Sequence, residues 1–137
     1  MTDSTILKAE DIAIVNRGGG IKTTPLVVHQ KVPEARFTTG MTVFPPGEGA
    51  PMHSHNCDEQ VTLLEGAGEC EIDGVVTQLV QSDTTYVLAN VPHRFENTGI
   101  APMRILWIYS TDRVTRTFTA SGETVEHLTG ADLMSSN

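Results

Sequence analysis

The chain has 137 residues, the length of one ordinary domain, with core enough to fold without help from a disulfide or a metal. Its 39% hydrophobic and 19% charged residues, with 12 Gly and 7 Pro, describe a globular, turn-rich chain and exclude a disordered one. Nine Lys and Arg face 17 Asp and Glu for a net charge of −8, and the cations are scattered singly. That argues against nucleic acid and acidic membranes as partners, because both require a concentration of positive charge.

In chain order, the first eleven residues are polar and contain no apolar h-region, so no secretory signal is expected. Residues 5–14 have room for one short helix. Gly18-Gly19-Gly20 fits neither GxGxxG nor a P-loop and reads as a flexible or bulged link. Strands are expected at 26–30, 37–44, 60–65, 68–72, 75–80, 84–88, 93–97, 103–109, 115–119 and 124–128, each rich in Val, Ile, Thr or Leu. Pro45-Pro46-Gly47 stops one strand, Gly66-Ala67-Gly68 and Ser121-Gly122 mark turns, and Asp73-Gly74 is a two-residue hairpin signal. Residues 130–134 have room for a second short helix. No apolar run approaches the roughly 18 residues of a membrane span. Many short strands without βαβ alternation point to an all-β fold, an antiparallel sandwich or barrel.

The five histidines carry the chemical information. His53 and His55 form an HxH pair, and in a strand residues i and i+2 share a face, so both can address one ion. A short turn through Asn56-Cys57-Asp58 returns the chain at Glu59, and His93 is the remaining histidine in a strand-entering context; His29 and His127 stand apart. Three imidazoles and one carboxylate suit Fe, Mn, Ni, Co, Cu or Zn rather than Ca or Mg. Around a divalent ion they carry a net charge of about +1, which makes a locally positive pocket for a carboxylate, enolate or catecholate oxygen. Six-coordination would leave two positions for a bidentate substrate, or for O₂ together with substrate.

The spacing Gly47-(x)5-His53-x-His55-(x)3-Glu59-(x)6-Gly66 resembles the first motif of the cupin superfamily at every fixed position. The second motif, G-(x)5-P-x-G-(x)2-H-(x)3-N, is similar to residues 82–97. There His93 and Asn97 match, while Ser82, Leu88 and Asn90 replace its glycine, proline and second glycine. Asn tolerates a left-handed backbone best after Gly, so the turn at Asn90 is expected to survive. The resemblance implies one cupin domain over 1–137, an antiparallel double-stranded β-helix or jelly roll. Its motif core is 47–97, its N-terminal strand region 1–46 and its C-terminal strands 98–137. It also implies His53, His55, Glu59 and His93 as metal ligands. It does not imply a reaction, since cupins carry many.

Three functions remain open at this stage: an Fe(II)- or Mn(II)-dependent oxygenase (a dioxygenase among them) acting on a small oxygen-rich molecule, an isomerase or lyase stabilising an enolate, and a small-ligand-binding module without turnover. No Ser/His/Asp set or second placed carboxylate offers another route, and Glu59 is the one shell group that can loosen and act as a base. Strand alternation sends Val61, Leu63 and Phe95 inward with Glu59 and His93, and Pro51 and Met52 towards the mouth. Trp107 and Tyr109 fit either face. Arg104 and the polar stretch 111–116 are expected at the surface, and Cys57 as a buried inert thiol. Two lone cysteines, Cys57 and Cys70, suit a cytoplasmic protein. The runs 26–30, 115–119 and 124–128 would be exposed edges blunted only by Arg116 and Glu126, and Leu64 adds apolar surface to the outer sheet face. A symmetric homodimer is therefore expected.

Overall fold

Inward and outward residues alternate along the three longest strands, Thr38–Phe44, Glu59–Glu65 and Met103–Tyr109, each presenting every second side chain to one interior. The computed structural model describes residues 5–134. It contains twelve strands: β1 (Val15–Asn16), β2 (Lys22–Val27), β3 (Thr38–Phe44), β4 (His53–His55), β5 (Glu59–Glu65), β6 (Gly68–Ile72), β7 (Val75–Leu79), β8 (Thr84–Val87), β9 (His93–Glu96), β10 (Met103–Tyr109), β11 (Thr115–Phe118) and β12 (Thr124–Glu126). They form two six-stranded sheets of order β1-β2-β3-β10-β5-β8 and β12-β11-β4-β9-β6-β7, antiparallel in every pair. Sequence neighbours such as β3 and β4, or β4 and β5, lie in opposite sheets, so the chain winds around the interior as a jelly roll. Phe44, Val61, Leu63, Phe95, Met103 and Trp107 are among the residues filling it.

The expected hairpin at Asp73-Gly74 forms with φ of 49° and 84°, the positive pair a tight two-residue connection needs. Asn90 also takes a positive φ, 68°, where the motif would place glycine. A side chain at Gly40 would collide with the Trp107 ring, so glycine is what lets the indole lie flat against β3. Asn97 is fully buried. Its amide donates to Phe44 O (2.8 Å) and Ala101 O (2.8 Å), and its carbonyl accepts from Gly99 N (2.9 Å), locking the turn beyond β9.

The differences from expectation have local causes. The strand expected at 26–30 lies earlier, at β2, and a bulge between Pro25 and Val27 absorbs the proline's missing donor. β1 and β4, of two and three residues, are too brief to show a hydrophobic period. Of the two short helices, a single 3₁₀ turn forms at Ala9–Asp11. Residues 130–134 are non-helical turns because Asp132 is held by distant arginines. The run 115–119 is not an edge, since β12 and β4 flank β11, whereas β1 pairs with β2 only at Lys22 and Thr23, so among the described residues no strand covers the outer side of 26–27. The edges are β1, β8, β12 and β7. No helix among the described residues is long and apolar enough to cross a membrane.

Candidate metal centre

β4 and β9 lie side by side with His53 directly opposite His93, and His55 follows two residues on along the same inward face. Each imidazole is oriented by its own backbone contact. Nδ1 of His53 donates to Pro51 O (2.6 Å), that of His55 to Thr115 O (3.0 Å) and that of His93 to Val91 O (2.9 Å). Two of these acceptors lie just two residues away, so the strand itself sets the ring rotation. With Nδ1 committed, Nε2 of His53 and of His55 is the nitrogen left with a lone pair, the arrangement that second-shell bonds give a metal-ligating histidine, while His93 Nε2 is hydrogen-bonded to Glu59 Oε1. The three potential ligand atoms lie within 4.8 Å of one another, and all three residues are buried. His55 Nε2 has no hydrogen-bond partner at all. An orphaned imidazole nitrogen facing two others in a dry interior fits a transition-metal ion and little else.

Glu59 enters from the other sheet, at the start of β5, after the turn of residues 56–58. Its Oε1 stands 2.9 Å from His93 Nε2 and 3.8 Å from His55 Nε2. Two adjacent ligands, each about 2.1 Å from one ion, would be roughly 3 Å apart, so the closer separation matches a shared ion. Asp58 fixes this turn, accepting from Ala89 N (2.9 Å) and Tyr86 Oη (2.6 Å), while Asn90 N donates to His55 O (2.8 Å). The two motifs are thus stitched together behind the histidines and Glu59.

Burial keeps His53 and His55 unprotonated. Burial, reinforced by the Arg116 charge, holds His53 well below the ordinary imidazole range. Burial likewise lowers His55 to about 4 against the opposing pull of Glu59. Burial alone would raise Glu59, but the His93 contact and the nearby His55 and Arg116 outweigh it and hold the carboxyl below its usual value.

The wall behind the histidines is charged, which the sequence did not reveal. Arg116, expected on a solvated edge, is 1% exposed, as are Arg17 and Asp132. Arg17 Nη2 donates to Asp132 Oδ2 (2.9 Å), its Nε to Asp132 O (3.1 Å) and its Nη1 to Thr23 Oγ1 (2.9 Å). Thr23 bonds Thr42 (2.8 Å), which accepts from Trp107 Nε1 (2.9 Å). Residues 115 apart in sequence are joined here, so no local spacing signals the cluster. Arg116 faces inward because it pairs with inward-facing His55 across β11 and β4.

Trp107 and Tyr109 both point inward, Tyr109 packing 4.6 Å from the His55 ring. Val61, Leu63 and Phe95 are buried as expected. Pro51 is exposed and contributes its carbonyl to His53, and Arg104 lies near the surface beside Glu65 (3.6 Å). Cys57 and Cys70 are free thiols in the core, and burial raises Cys57 to about 11. His29 stands away from the centre, its Nδ1 bonded to Asp112 O (3.0 Å). His127 stands nearer, stacked edge-on against Trp107 and Tyr109 with Nε2 buried and unpartnered. It separates an outer cleft of about 340 Å³ from an inner cavity of about 20 Å³, room for one water. His53, Glu59, Arg116 and Tyr109 line that inner cavity.

Known proteins of the same build are readily found. A domain of Bacillus subtilis oxalate decarboxylase (a point mutant) superposes with a TM-score of 0.72 at 17% identity, over 81% of this chain and 31% of that one. A mutant salicylate 1,2-dioxygenase from Pseudoaminobacter salicylatoxidans gives 0.61 at 14%, over 70% and 28%. An uncharacterized protein of Methanocaldococcus jannaschii is 32% identical over 65 residues, 47% of this chain and about half (52%) of that relative's length. The family model for the cupin domain matches residues 40–109, which hold both motifs and all four expected ligands. The chain belongs to the cupin family.

Proposed function

We propose that this cupin is a mononuclear metalloenzyme, an Fe(II)- or Mn(II)-dependent oxygenase acting on a small oxygen-rich molecule, with His53, His55, Glu59 and His93 as the ligands. The observation that carries the reading is the set of three imidazoles with Nδ1 tied to backbone and Nε2 turned to one point. When bound, such an ion supplies Lewis acidity, open coordination positions and, in the case of iron, redox chemistry. The chain's own residues orient and insulate: backbone carbonyls fix the imidazole planes, Val61, Leu63, Phe95 and Trp107 exclude bulk water, and Glu59 is the one carboxylate among the described residues lining the cavity beside His53, placed to take a proton. Oxygen uptake by the Fe(II)-loaded protein across a panel of small hydroxy acids, diols and phenols is the test. Turnover without oxygen consumption would favour the redox-silent isomerase or lyase instead, and the absence of all turnover a binding module.

The reading includes a cytoplasmic setting, which two reduced thiols suit, and a homodimer. The surface that supports a dimer is not the one expected from sequence. Edge strand β7 exposes Val75 and Val76, with Val80 just beyond it, and the β8 edge exposes Tyr86 and Leu88. Light scattering at micromolar concentration should give about twice the 14.8 kDa chain mass, and Val76→Lys should shift it towards the monomer. A monomeric wild type would remove the dimer from the account.

A further inference from the structure

The inner cavity beside His53 and Glu59, about 20 Å³, has no room for an organic molecule, whereas the outer cleft, about 340 Å³, has the roughly 300 Å³ or more of a small-molecule pocket. A molecule that travels from the cleft to the histidines must displace part of the wall between them. Among the described residues, His127 alone lines both spaces. Most of the other residues around the inner cavity sit on strands paired on both sides, and three hydrogen bonds hold Arg17. The His127 backbone is pinned as well. Its N–H donates to Val114 O (3.1 Å), continuing the ladder of β11 and β12. Leu128 beyond it takes a φ of 65°, a left-handed state unusual for leucine, with its N–H donating to Asp132 Oδ2 (2.8 Å). What is left to move is the imidazole.

Two opposing effects act on that ring. It packs edge-on against Trp107 (centroids 5.1 Å apart) and Tyr109 (5.0 Å), which favours the inward position. There, however, its Nε2 is buried without a partner and forgoes a hydrogen bond that water in the outer cleft supplies. We propose that His127 is a gate: its imidazole turns outward into the cleft, joins the two spaces, and limits what passes to the width of one flat ring. Its departure uncovers Trp107 and Tyr109, and Tyr109 packs 4.6 Å from the His55 ring, so the passage leads to the histidines. This rests on the metal-centre reading for its destination, whereas the movement itself requires no ion.

The chain's single tryptophan lies at the inner end of this passage and is 3% exposed, so its fluorescence reports the opening. The experiment measures its quenching by acrylamide, a small neutral molecule, in the metal-free full-length protein, for the wild type, His127→Ala and His127→Phe. Alanine leaves the gate open and should raise the bimolecular quenching constant at least threefold. Phenylalanine keeps a flat ring but has no nitrogen that seeks water, and should lower the constant at least twofold below the wild type. A residue that merely fills space would leave the phenylalanine variant at the wild-type value. The second readout is the rate at which dipicolinate strips Co(II) from loaded protein, expected to be about tenfold faster with alanine and severalfold slower with phenylalanine at unchanged metal content. An alanine variant quenched no more than the wild type, or a phenylalanine variant quenched no less, overturns the proposal, and either variant suffices where the other fails to fold. Failure of the wild type to take up cobalt contradicts the metal-centre reading, and the quenching result then decides the gate by itself.

Discussion

The two halves of the buried site are built on different principles. The histidine half is local: His53 and His93 are oriented by carbonyls two residues away, and the strands carrying them pair directly. The arginine half is global: Arg17 from before β2, Arg116 from β11 and Asp132 from beyond β12 meet in one charge cluster. A local site keeps its geometry as long as two strands pair. A global one exists only when both ends of the described chain are docked, so it reports on the whole fold. The halves should accordingly fail in different ways, the first by losing metal and the second by losing stability.

The largest expected effect lies in the arginine half. Asp132→Ala takes from two buried guanidinium groups the carboxylate they share and should cost about 3–5 kcal/mol, since removal of one partner strands the others. Thermal unfolding followed by circular dichroism should show the melting temperature falling by on the order of 10 °C. A variant that melts with the wild type would mean that the cluster is not under tension.

Chelation should affect the histidine half by a smaller and reversible amount. An ion that binds only the folded state adds about 2.7 kcal/mol at a hundredfold excess over Kd. Removing it should lower the melting temperature by several degrees yet leave a cooperative β-rich protein. An unfolded apoprotein would contradict the view that the hydrophobic interior carries the fold.

Acid should act on both halves of the apoprotein. His53, His55 and His127 are held below their ordinary range by burial, so near pH 6 the unfolded chain binds more protons than the folded one. Their contribution is therefore complete above pH 6.5 and is lost as pH falls towards the lowered folded-state values, about 4 for His55. Urea midpoints should decline steadily from pH 6.5 to 4. A flat profile would place these imidazoles in contact with water.

How much could be read in advance follows the same division. The HxH pair of His53 and His55, the Asp73-Gly74 hairpin and the left-handed Asn90 are short-range features, and each appears where its residues demand it. Cys57 and Leu63 fall in the interior by simple alternation and hydrophobicity. Arg116 could not be placed that way, because a charged residue in a polar stretch looks solvated until its partners from both ends of the chain are known. Asp132 sits in a segment whose local pattern suggests a helical turn, and its buried ion pairs override that preference. β1 escapes detection because two residues define no period, while β4 is legible only through its HxH pair.

The proposed site joins three imidazoles and a carboxylate around one transition-metal ion. Its most direct test is metal content by elemental analysis, on protein without a histidine tag, for the wild type and for His55→Ala, His93→Ala and His29→Ala. One equivalent of a transition metal in the wild type and in His29→Ala, with loss of most of it in the other two, is the predicted result. Full metal retention by both His55→Ala and His93→Ala would contradict it.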